Sequence, residues 1–429
     1  MRLEPIAPDV AAITERIGSA RFVLIGEASH GTHEFYALRA AVTRSLIERG
    51  DMKAICIEGD WPDARRVDRF VRGTGSDTTA DQALGGFRRF PQWMWRNTVV
   101  RDFVTWLRQW NLERPPEQRC GFYGLDLYSL HASIHEVLEY LERVDPAALP
   151  EARQRYGCIE NVGGDDPQAY GYQATRGGTL QCEDDVVKQL AALRHCADDY
   201  EQRGGALGAD DFFSAEQNAQ LVADAERYYR SMFRGRSSSW NLRDLHMTDT
   251  LDAVADHVGL SRGGRLCVWA HNSHLGDARA TRMGKGGELN VGQLVRQRHP
   301  KQSCLVGFST HTGSVTAARD WGDPAERRRV RPSLEGSVER LLHDHGPPNA
   351  LYDLRETVNR DALSAPMLER AIGVIYRPET ERASHYFQAT LASQFDLLIH
   401  LDETRALTPL ESNGAWDLGE PPETFPSGL

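Results

Sequence analysis

The chain has 429 residues, enough to bury a large core, and its 61 acidic and 50 basic residues give a formal net charge of -11. This acidic balance argues against non-specific binding to nucleic acid or to an anionic membrane, because both attract basic surfaces. Charged residues interrupt the first twenty positions, and no later apolar run reaches the length of a membrane span. We therefore predict a cytoplasmic protein with no signal peptide and no membrane segment.

The seven cysteines are an odd number, are widely spread and form no C-x-x-C pair. That pattern favours free thiols in a reducing compartment over a disulfide framework or a zinc knuckle. The cysteines are Cys56, Cys120, Cys158, Cys182, Cys196, Cys267 and Cys304.

The first predicted strand covers residues 22–25, four apolar side chains in a row, and stops at Gly26. Glu27 and His30 follow it directly, and apolar residues at helical spacing begin at Phe35. An entirely apolar strand is typical of one covered on both faces, and ligands bind at the carboxyl edge of open α/β sheets. Glu27 and His30 are therefore candidate pocket residues. The alternative is that Glu27 pairs with an arginine and His30 caps the helix.

A second apolar run ends in Glu58, so a strand, a helix and a strand lie within about forty residues and predict a parallel pair. Residues 61–110 have helical periodicity, and residues 120–126 form a third short strand that ends at Asp126. The intervening tryptophans fit a core, the commoner fate of such residues, or a hydrophobic cleft; they are Trp93, Trp95, Trp106 and Trp110.

Residues 145–257 contain long helix-forming stretches and no convincing strand, which predicts a mainly helical insertion or lobe. Four further apolar runs then end in polar sequence, which makes seven in all. Seven such endings are best explained by one shared edge of a sheet that lines one cleft. We predict a single α/β domain over residues 1–429, with a central, mostly parallel sheet flanked by helices, the helical lobe inserted, and the cleft at the C-terminal edge of the strands. The four later runs are residues 266–270, 304–308, 372–376 and 395–399.

Several motifs are absent from the sequence. It has no G-x-S-x-G elbow, no G-x-x-x-x-G-K-[ST] loop, no G-x-G-x-x-G turn after a strand and no H-E-x-x-H pair. What remains is a group of histidines and carboxylates with no dedicated nucleophile. The group consists of Glu27, His30, Glu58, Asp126, His271 and His274.

This group suits the activation of water, because neutral histidine accepts a proton near pH 7 and a carboxylate at its far nitrogen fixes the tautomer. Two histidines with two carboxylates also suit Zn²⁺ or a non-haem iron. The pair His271-x-x-His274 fits a metal-ligand pair, and it fits a base with an oxyanion donor equally well.

Arg39 lies on the helix that follows His30 and could hold Glu27 or Glu58, or bind substrate. The run of arginines at residues 327–331 is typical of a solvated face, and the alternative is that it grips an anionic substrate.

These motifs resemble the erythromycin esterase family. The resemblance rests on residues 25–31, Ile-Gly-Glu-Ala-Ser-His-Gly, and on residues 269–274, Trp-Ala-His-Asn-Ser-His. The resemblance extends over nearly the whole chain. It covers residues 34, 35, 39, 57–61, 123–126, 239–244, 384–387 and 395–396.

The resemblance implies a central sheet with a helical lobe over a deep cleft, and hydrolysis of a macrolide lactone that is independent of metal or variably sensitive to it. His30 would be the general base on water, and the other catalytic positions would be Glu27, Glu58, Arg39, His271 and His274. We further predict that Asp126, Tyr123, Trp61 and Trp95 bind substrate.

Three functions compete. The leading one is an esterase that cleaves a small ester or a macrolide-like lactone with water activated at His30, without a cofactor and without a covalent acyl-enzyme at Ser29. The second is a metal-binding or ligand-binding protein, or a metal-dependent hydrolase, that uses the same side chains as ligands of a divalent metal. The third is a transferase in sugar or polysaccharide modification. No nucleic-acid or membrane partner is expected.

Overall fold

A computed structural model of the chain describes residues 3–163, 167–175, 182–203, 207–232, 236–411, 414 and 416. Ten strands form in these residues. They are β1 (Phe22–Ile25), β2 (Met52–Asp60), β3 (Gly121–Asp126), β4 (Arg265–Trp269), β5 (Ser303–Ala317), β6 (Glu326–Val330), β7 (Asn349–Asp353), β8 (Met367–Arg370), β9 (Tyr386–Ala389) and β10 (Leu397–Thr404).

Nineteen α-helices form in the described residues. The first six are α1 (Val10–Ile17), α2 (His33–Glu48), α3 (Trp61–Arg72), α4 (Ala80–Ala83), α5 (Thr98–Leu112) and α6 (Leu130–Val144). The next six are α7 (Leu149–Gly163), α8 (Pro167–Thr175), α9 (Cys182–His195), α10 (Ala197–Arg203), α11 (Gly208–Ser231) and α12 (Arg236–His257). The last seven are α13 (Asn272–Leu275), α14 (Arg282–Lys285), α15 (Val291–Arg298), α16 (Val338–His345), α17 (Thr357–Ala362), α18 (Glu381–Ser384) and α19 (Leu391–Gln394).

The main sheet has eight strands. Seven of them lie in the order β3-β2-β4-β1-β5-β10-β7, and the eighth, β6, pairs with β5. Strand β1 runs parallel to β4 and β5, and β10 runs parallel to β5. The pairs β10 with β7 and β5 with β6 are antiparallel, and β8 and β9 form a separate antiparallel pair. The predicted fold class is confirmed, a mostly parallel sheet with flanking helices.

The chain divides into two compact units. Unit 1 comprises Met1–Cys56, Val67–Gly121 and Arg262–Leu429, and unit 2 comprises Ile57–Arg66 and Phe122–Ser261. Helices α6 to α12 lie in unit 2, so the segment predicted as a helical lobe belongs to this unit.

Strand β1 is central to unit 1 because its four apolar side chains are all buried. Its last residue, Ile25, pairs with Trp269 of β4 on one side and with Val306 of β5 on the other. Burying one such side chain contributes about 1.5–3 kcal/mol. The parallel register brings the ends of β1 and β4 to one level, and this determines which residues meet beyond them.

The prediction of a strand at residues 372–376 is wrong. Only isolated bridges form there, from Ile372 to Ser29 and from Ile375 to Ala318. The segment is apolar because Ile372 and Tyr376 are buried in a cluster with Val315 and other residues of unit 1. Burial of these two residues without a neighbouring ladder explains an apolar run that is not a strand. The sequence analysis also missed β6, β7, β8 and β9.

The prediction that all the cysteines are free is wrong for one pair. Cys158 on α7 and Cys182 on α9 form a disulfide with their Cα atoms 5.7 Å apart. The two helices pack side by side, and the sequence separation of 24 residues gives no sign of that contact. The other five cysteines are free.

Three further predictions concerned the tryptophans, the run of arginines and the absence of a membrane segment. Trp93 and Trp95 are buried, as expected for core residues. In β6 the side chains alternate, so Arg327 and Arg329 are exposed while Arg328 is buried against Glu326 at 2.9 Å. Among the described residues, no helix is long and apolar enough to cross a bilayer.

Two carboxyl groups are buried in this part of the chain, Glu369 on β8 and Glu339 on α16. Glu339 on α16 accepts a hydrogen bond from the backbone N–H of Arg370 at 2.8 Å. Burial, and then the charge of Glu339, raises the pKa of Glu369 from its ordinary value of 4.5 to about 8. Burial also raises the pKa of Glu339. Glu369 is therefore neutral in the folded protein up to about pH 8.

We expect Glu369→Gln to flatten the dependence of stability on pH. Between about pH 4.5 and 8 the folded wild type keeps the proton of Glu369 and the unfolded chain does not, so unfolding releases this proton. The free energy of unfolding therefore falls as pH rises in this range, by up to about 1.4 kcal/mol per pH unit. Urea denaturation at pH 6 and 8 measures the effect. Glu379→Gln, at an exposed position, is the control. Equal slopes for wild type and Glu369→Gln would contradict the prediction.

Candidate functional site

The loop between β1 and α2 holds the histidine–carboxylate pair that the sequence predicted. Glu27 and His30 are 1% and 7% exposed, and His30 Nδ1 lies 2.9 Å from Glu27 Oε1. Because a carboxylate only accepts, His30 Nδ1 carries the hydrogen of this bond, and in the neutral ring Nε2 carries the lone pair. The alternative role of His30 as a helix cap is not observed, since Thr32 is the N-cap residue of α2.

Arg39 on α2 pairs with Glu27, which decides between the partners proposed for it. Its Nη2 lies 3.5 Å from Glu27 Oε2, and the side chain is fully buried. The guanidinium carbon lies 4.4 Å from the ring centroid of Tyr36 and 4.9 Å from that of Trp269. Such a desolvated cation–π contact is worth about 2 kcal/mol or more. None of its three guanidinium nitrogens has a hydrogen-bond partner among the described residues, so the two rings and one carboxylate hold the charge.

His271 follows β4 and lies beside His30. The centroids of the two rings are 4.7 Å apart and the rings are tilted by 44°. The backbone N–H of Asn272 donates to Glu27 O at 2.8 Å, which ties the ends of β1 and β4 together. His274, on α13, is 2% exposed, and its N–H donates to His271 O. Unit 1 therefore holds these residues in one series of contacts, from Arg39 to Glu27, from Glu27 to His30, and from His30 to His271.

Close packing fixes the path of the loop between β1 and α2. A Cβ atom at Gly26 would collide with the side chain of Asn272, and one at Gly31 would collide with the carbonyl oxygen of Thr316. Ile372 exchanges backbone hydrogen bonds with Ala28 and His30. The two glycines of the G-E-x-x-H-G motif are thus required by contact with neighbouring backbone and side-chain atoms.

Ser29 is not placed as a nucleophile. It is 1% exposed, and its hydroxyl makes a short hydrogen bond with the hydroxyl of Thr32. A serine nucleophile needs a base at its oxygen. The contact with Thr32 instead ties the loop to the start of α2.

A second group of charges lies in unit 2. Arg243 on α12 donates to both carboxylate oxygens of Asp126, at 2.9 and 2.6 Å, and to Glu58 Oε1 at 2.9 Å. Burial works to raise the pKa of Asp126, but the charge of Arg243 outweighs it and lowers that pKa. Burial opposes the charge of Arg243, yet Asp126, Tyr128 and Glu58 raise its pKa. The cluster therefore keeps Asp126 and Arg243 charged.

The predicted aromatic binding residues are buried. In unit 2 the rings of Trp61 and Tyr123 lie 5.8 Å apart, and Trp61 Nε1 donates to Ser214 Oγ at 3.3 Å. In unit 1 Trp95 packs against Phe87 with ring centroids 6.2 Å apart. Their role in binding substrate stays a prediction.

The sequence analysis assigned no role to Tyr36, Trp269 and Arg243. Tyr36 is three residues before Arg39, one helical turn away, and this spacing could have shown that they share a face. The Tyr36 hydroxyl donates to His30 O at 2.9 Å. Arg243 lies in the motif at residues 239–244, but nothing in the sequence indicates which carboxylates it meets.

Histidine and carboxylate side chains of this kind can also serve as ligands of a metal ion. In the part of the chain that the structure describes, no group of three or more histidine, cysteine, aspartate or glutamate side chains could hold a metal ion. The hypothesis that these side chains bind a metal ion is therefore not supported by the described residues.

The geometry and the sheet together define an α/β protein with a histidine–carboxylate pair at the carboxyl ends of parallel strands. A family model described as erythromycin esterase matches residues 47–404. The chain therefore belongs to the erythromycin esterase family, which confirms the resemblance. Membership supports the prediction of a hydrolase.

Individual relatives are distant in sequence and cover nearly the whole chain. Erythromycin esterase type II of Escherichia coli is 20% identical over 398 residues, 87% of this chain and 90% of that protein. The crystal structure of a succinoglycan biosynthesis protein is similar with a TM-score of 0.75 at 17% identity, over 95% of each chain. A mutant of the erythromycin esterase EreC in its open conformation is similar with a TM-score of 0.69 at 17% identity, over 96% of this chain and 100% of that one.

We expect Arg243→Met to destabilise the protein by about 3–5 kcal/mol, because it leaves Glu58 and Asp126 buried without their shared cation. Arg143→Met, in the same unit, is the matched control: its side chain is 56% exposed and pairs with Asp211 at 3.0 Å, so the loss should be below about 1 kcal/mol. Chemical denaturation measures both. Similar losses for the two variants would show that the cluster is not a stabilising unit.

Proposed function

We propose that the protein hydrolyses an ester or lactone bond, of the macrolide type, with water activated at His30. The observation that carries this proposal is the bond from His30 Nδ1 to Glu27, which leaves Nε2 with its lone pair. Arg39, held between two aromatic rings, keeps the carboxylate of Glu27 in place. The names of the related esterases support the choice of an ester substrate.

The reaction follows from these protonation states. His30 Nε2 takes a proton from water while the water oxygen attacks the carbonyl carbon. His271 or His274 donates to the oxygen that becomes negative. When the tetrahedral intermediate collapses, the carbon–oxygen bond to the alcohol breaks, and the imidazolium of His30 gives its proton to the leaving alkoxide. Glu27 stabilises the imidazolium between the two steps.

The other predicted roles belong to the same proposal. Glu58 would assist catalysis, and Asp126, Tyr123, Trp61 and Trp95 would bind a small ester or macrolide-like molecule. We also propose a cytoplasmic location and a single catalytic domain over residues 1–429, with residues 145–257 as its helical lobe.

A second candidate is the transfer of an acyl group to a sugar hydroxyl. It is favoured by the similarity to a succinoglycan biosynthesis protein. Mass spectrometry of reactions with macrolides, other lactones and simple esters, with and without sugars, separates the two. Free acid as the product supports hydrolysis, and an acylated sugar supports transfer.

His30→Asn should lower kcat by about 10²–10⁴-fold, the usual contribution of a general base, while the fold is retained. His135→Asn is a suitable control because His135 is exposed on α6 and its Nε2 atom lies 3.1 Å from the exposed carboxylate of Glu139. Activity is measured on the best ester of the panel, and folding by circular dichroism. A folded His30→Asn protein with more than about a tenth of wild-type kcat would mean that another group is the base.

No covalent acyl-enzyme should form at Ser29, since its hydroxyl bonds to Thr32 and not to a base. Rapid-quench mass spectrometry of the intact protein during turnover should show only unmodified mass. The activity of Ser29→Ala should exceed that of His30→Asn. An acyl adduct on Ser29 would replace the water mechanism with a nucleophilic one.

A further inference from the structure

Three histidines and one aspartate form a cluster between α16 and two strands of unit 1. His311 lies on β5, His400 and Asp402 lie on β10, and His343 lies on α16, which packs against both strands. The rings of His311 and His343 are stacked face to face, with centroids 3.7 Å apart and an angle of 2° between their planes. These two rings are called the histidine stack below.

One positive charge on the histidine stack has a counter-charge. Asp402 Oδ1 lies 2.7 Å from His343 Nδ1 and 3.5 Å from His400 Nε2. The neighbour of His311 is instead a neutral group, because its Nδ1 lies 2.6 Å from the hydroxyl of Ser333. Among the described residues, Asp402 forms the ion pairs of this cluster, with His343 and His400 and not with His311. A second positive charge, on His311, would therefore face the first without a carboxylate of its own.

The surroundings oppose that second charge. Burial, followed by the charge of His343, lowers the pKa of His311 from its ordinary value of 6.5. Burial also lowers the pKa of His400, to about 4. His311 and His400 therefore bind a proton less readily while α16 is packed on the strands. The other charged groups around the histidine stack are Arg340 and Asp344 on α16, Arg370 on β8 and Asp402 on β10.

We infer that the histidine stack is an acid-sensitive latch that holds α16 against β5 and β10. With one positive charge the rings stay stacked, because Asp402 balances that charge. When a second proton binds, two like charges meet at stacking distance and repel, so the rings separate and α16 leaves the strands. The latch lies outside the candidate active site and does not depend on ester hydrolysis.

The direction of the pH dependence follows from the two states of His311. In the packed state its pKa lies below 6.5, and once α16 has left, the ring is hydrated and returns to its ordinary value. Between these two values only the open state binds the proton, so opening takes up a proton and acid favours it. The effect is absent well above pH 6.5 and grows as pH falls, by up to about tenfold per pH unit for one proton.

Helix α16 also supports the segment that contacts the loop between β1 and α2. Glu339 on α16 accepts the backbone N–H of Arg370 at 2.8 Å, and the side chain of Arg370 donates to the backbone oxygens of Thr310 and His311 at 2.6 and 2.9 Å. Two residues further along the chain, Ile372 forms backbone hydrogen bonds with that loop. Opening of α16 would therefore remove one support of this segment.

Hydrogen exchange of the full chain, read by mass spectrometry of peptides that cover residues 338–345, tests the latch without a substrate. Each rate is divided by that of the unstructured peptide at the same pH, so the ratio reports opening of the helix. From about pH 7.5 to about pH 5.5 we expect opening of the wild type to rise about tenfold because of the proton on His311. In His311→Phe, which keeps a stacking ring and binds no proton, this tenfold part should be missing. An equal rise in both proteins would overturn the inference.

His345→Phe is the matched control, because His345 is an exposed histidine on the same helix, two residues from His343. Opening of this variant should rise as in the wild type, and loss of the rise here as well would overturn the latch. If His311→Phe does not fold, His311→Asn takes its place, since its amide can keep the hydrogen bond to Ser333 and binds no proton. A failed esterase assay would leave these results unchanged, so the latch and the proposed function fail separately.

His343→Phe separates repulsion within the histidine stack from burial alone. In this variant the ring beside His311 cannot be charged, and Asp402 then favours a proton on His311 in the packed state. The rise in opening should therefore be smaller than in the wild type. A rise of the wild-type size would mean that burial of His311 alone causes the acid sensitivity, and the histidine stack would not be the latch.

Discussion

The buried charge of Arg39 is the constraint on which the rest of the cluster in unit 1 depends. A guanidinium that is fully buried requires an opposite charge, and Glu27 provides it at 3.5 Å while the rings of Tyr36 and Trp269 pack against the guanidinium. Glu27 is then fixed as the acceptor for His30. An interaction that concerns stability thus determines which nitrogen of the histidine can take a proton.

The parts of the fold that the sequence predicted are those with strong local patterns. Strand β1 is four apolar residues bounded by glycine, and the ends of β1 and β4 meet because parallel strands share an edge. For the same reason Glu27, His30 and His271 could be assigned to one site from the sequence. The run at residues 372–376 shows where the pattern fails, since burial of Ile372 and Tyr376 produces the same apolar signal without a ladder.

The partners of the charged residues were harder to predict from the sequence. Arg39 could have met Glu27 or Glu58 by sequence distance alone, and only the packing of α2 on the strand ends selects Glu27. Arg243 is more than a hundred residues from Asp126, yet it forms a two-pronged hydrogen-bond pair with that carboxylate. Long-range pairing of this kind depends on helix placement in three dimensions, which the periodicity of α12 does not encode.

The two histidines show how neighbouring groups select different tautomers of one residue type. Nothing in the side chain distinguishes His30 from His271, and both are nearly buried at the ends of adjacent strands. The difference lies in the group at Nδ1, a carboxylate in one case and a backbone N–H in the other. Because a carboxylate accepts and an amide donates, the neutral rings carry their hydrogens on opposite nitrogens, Nδ1 in His30 and Nε2 in His271. The tautomer of each ring is therefore set by the group at its Nδ1 atom, and it requires no difference in the histidines themselves.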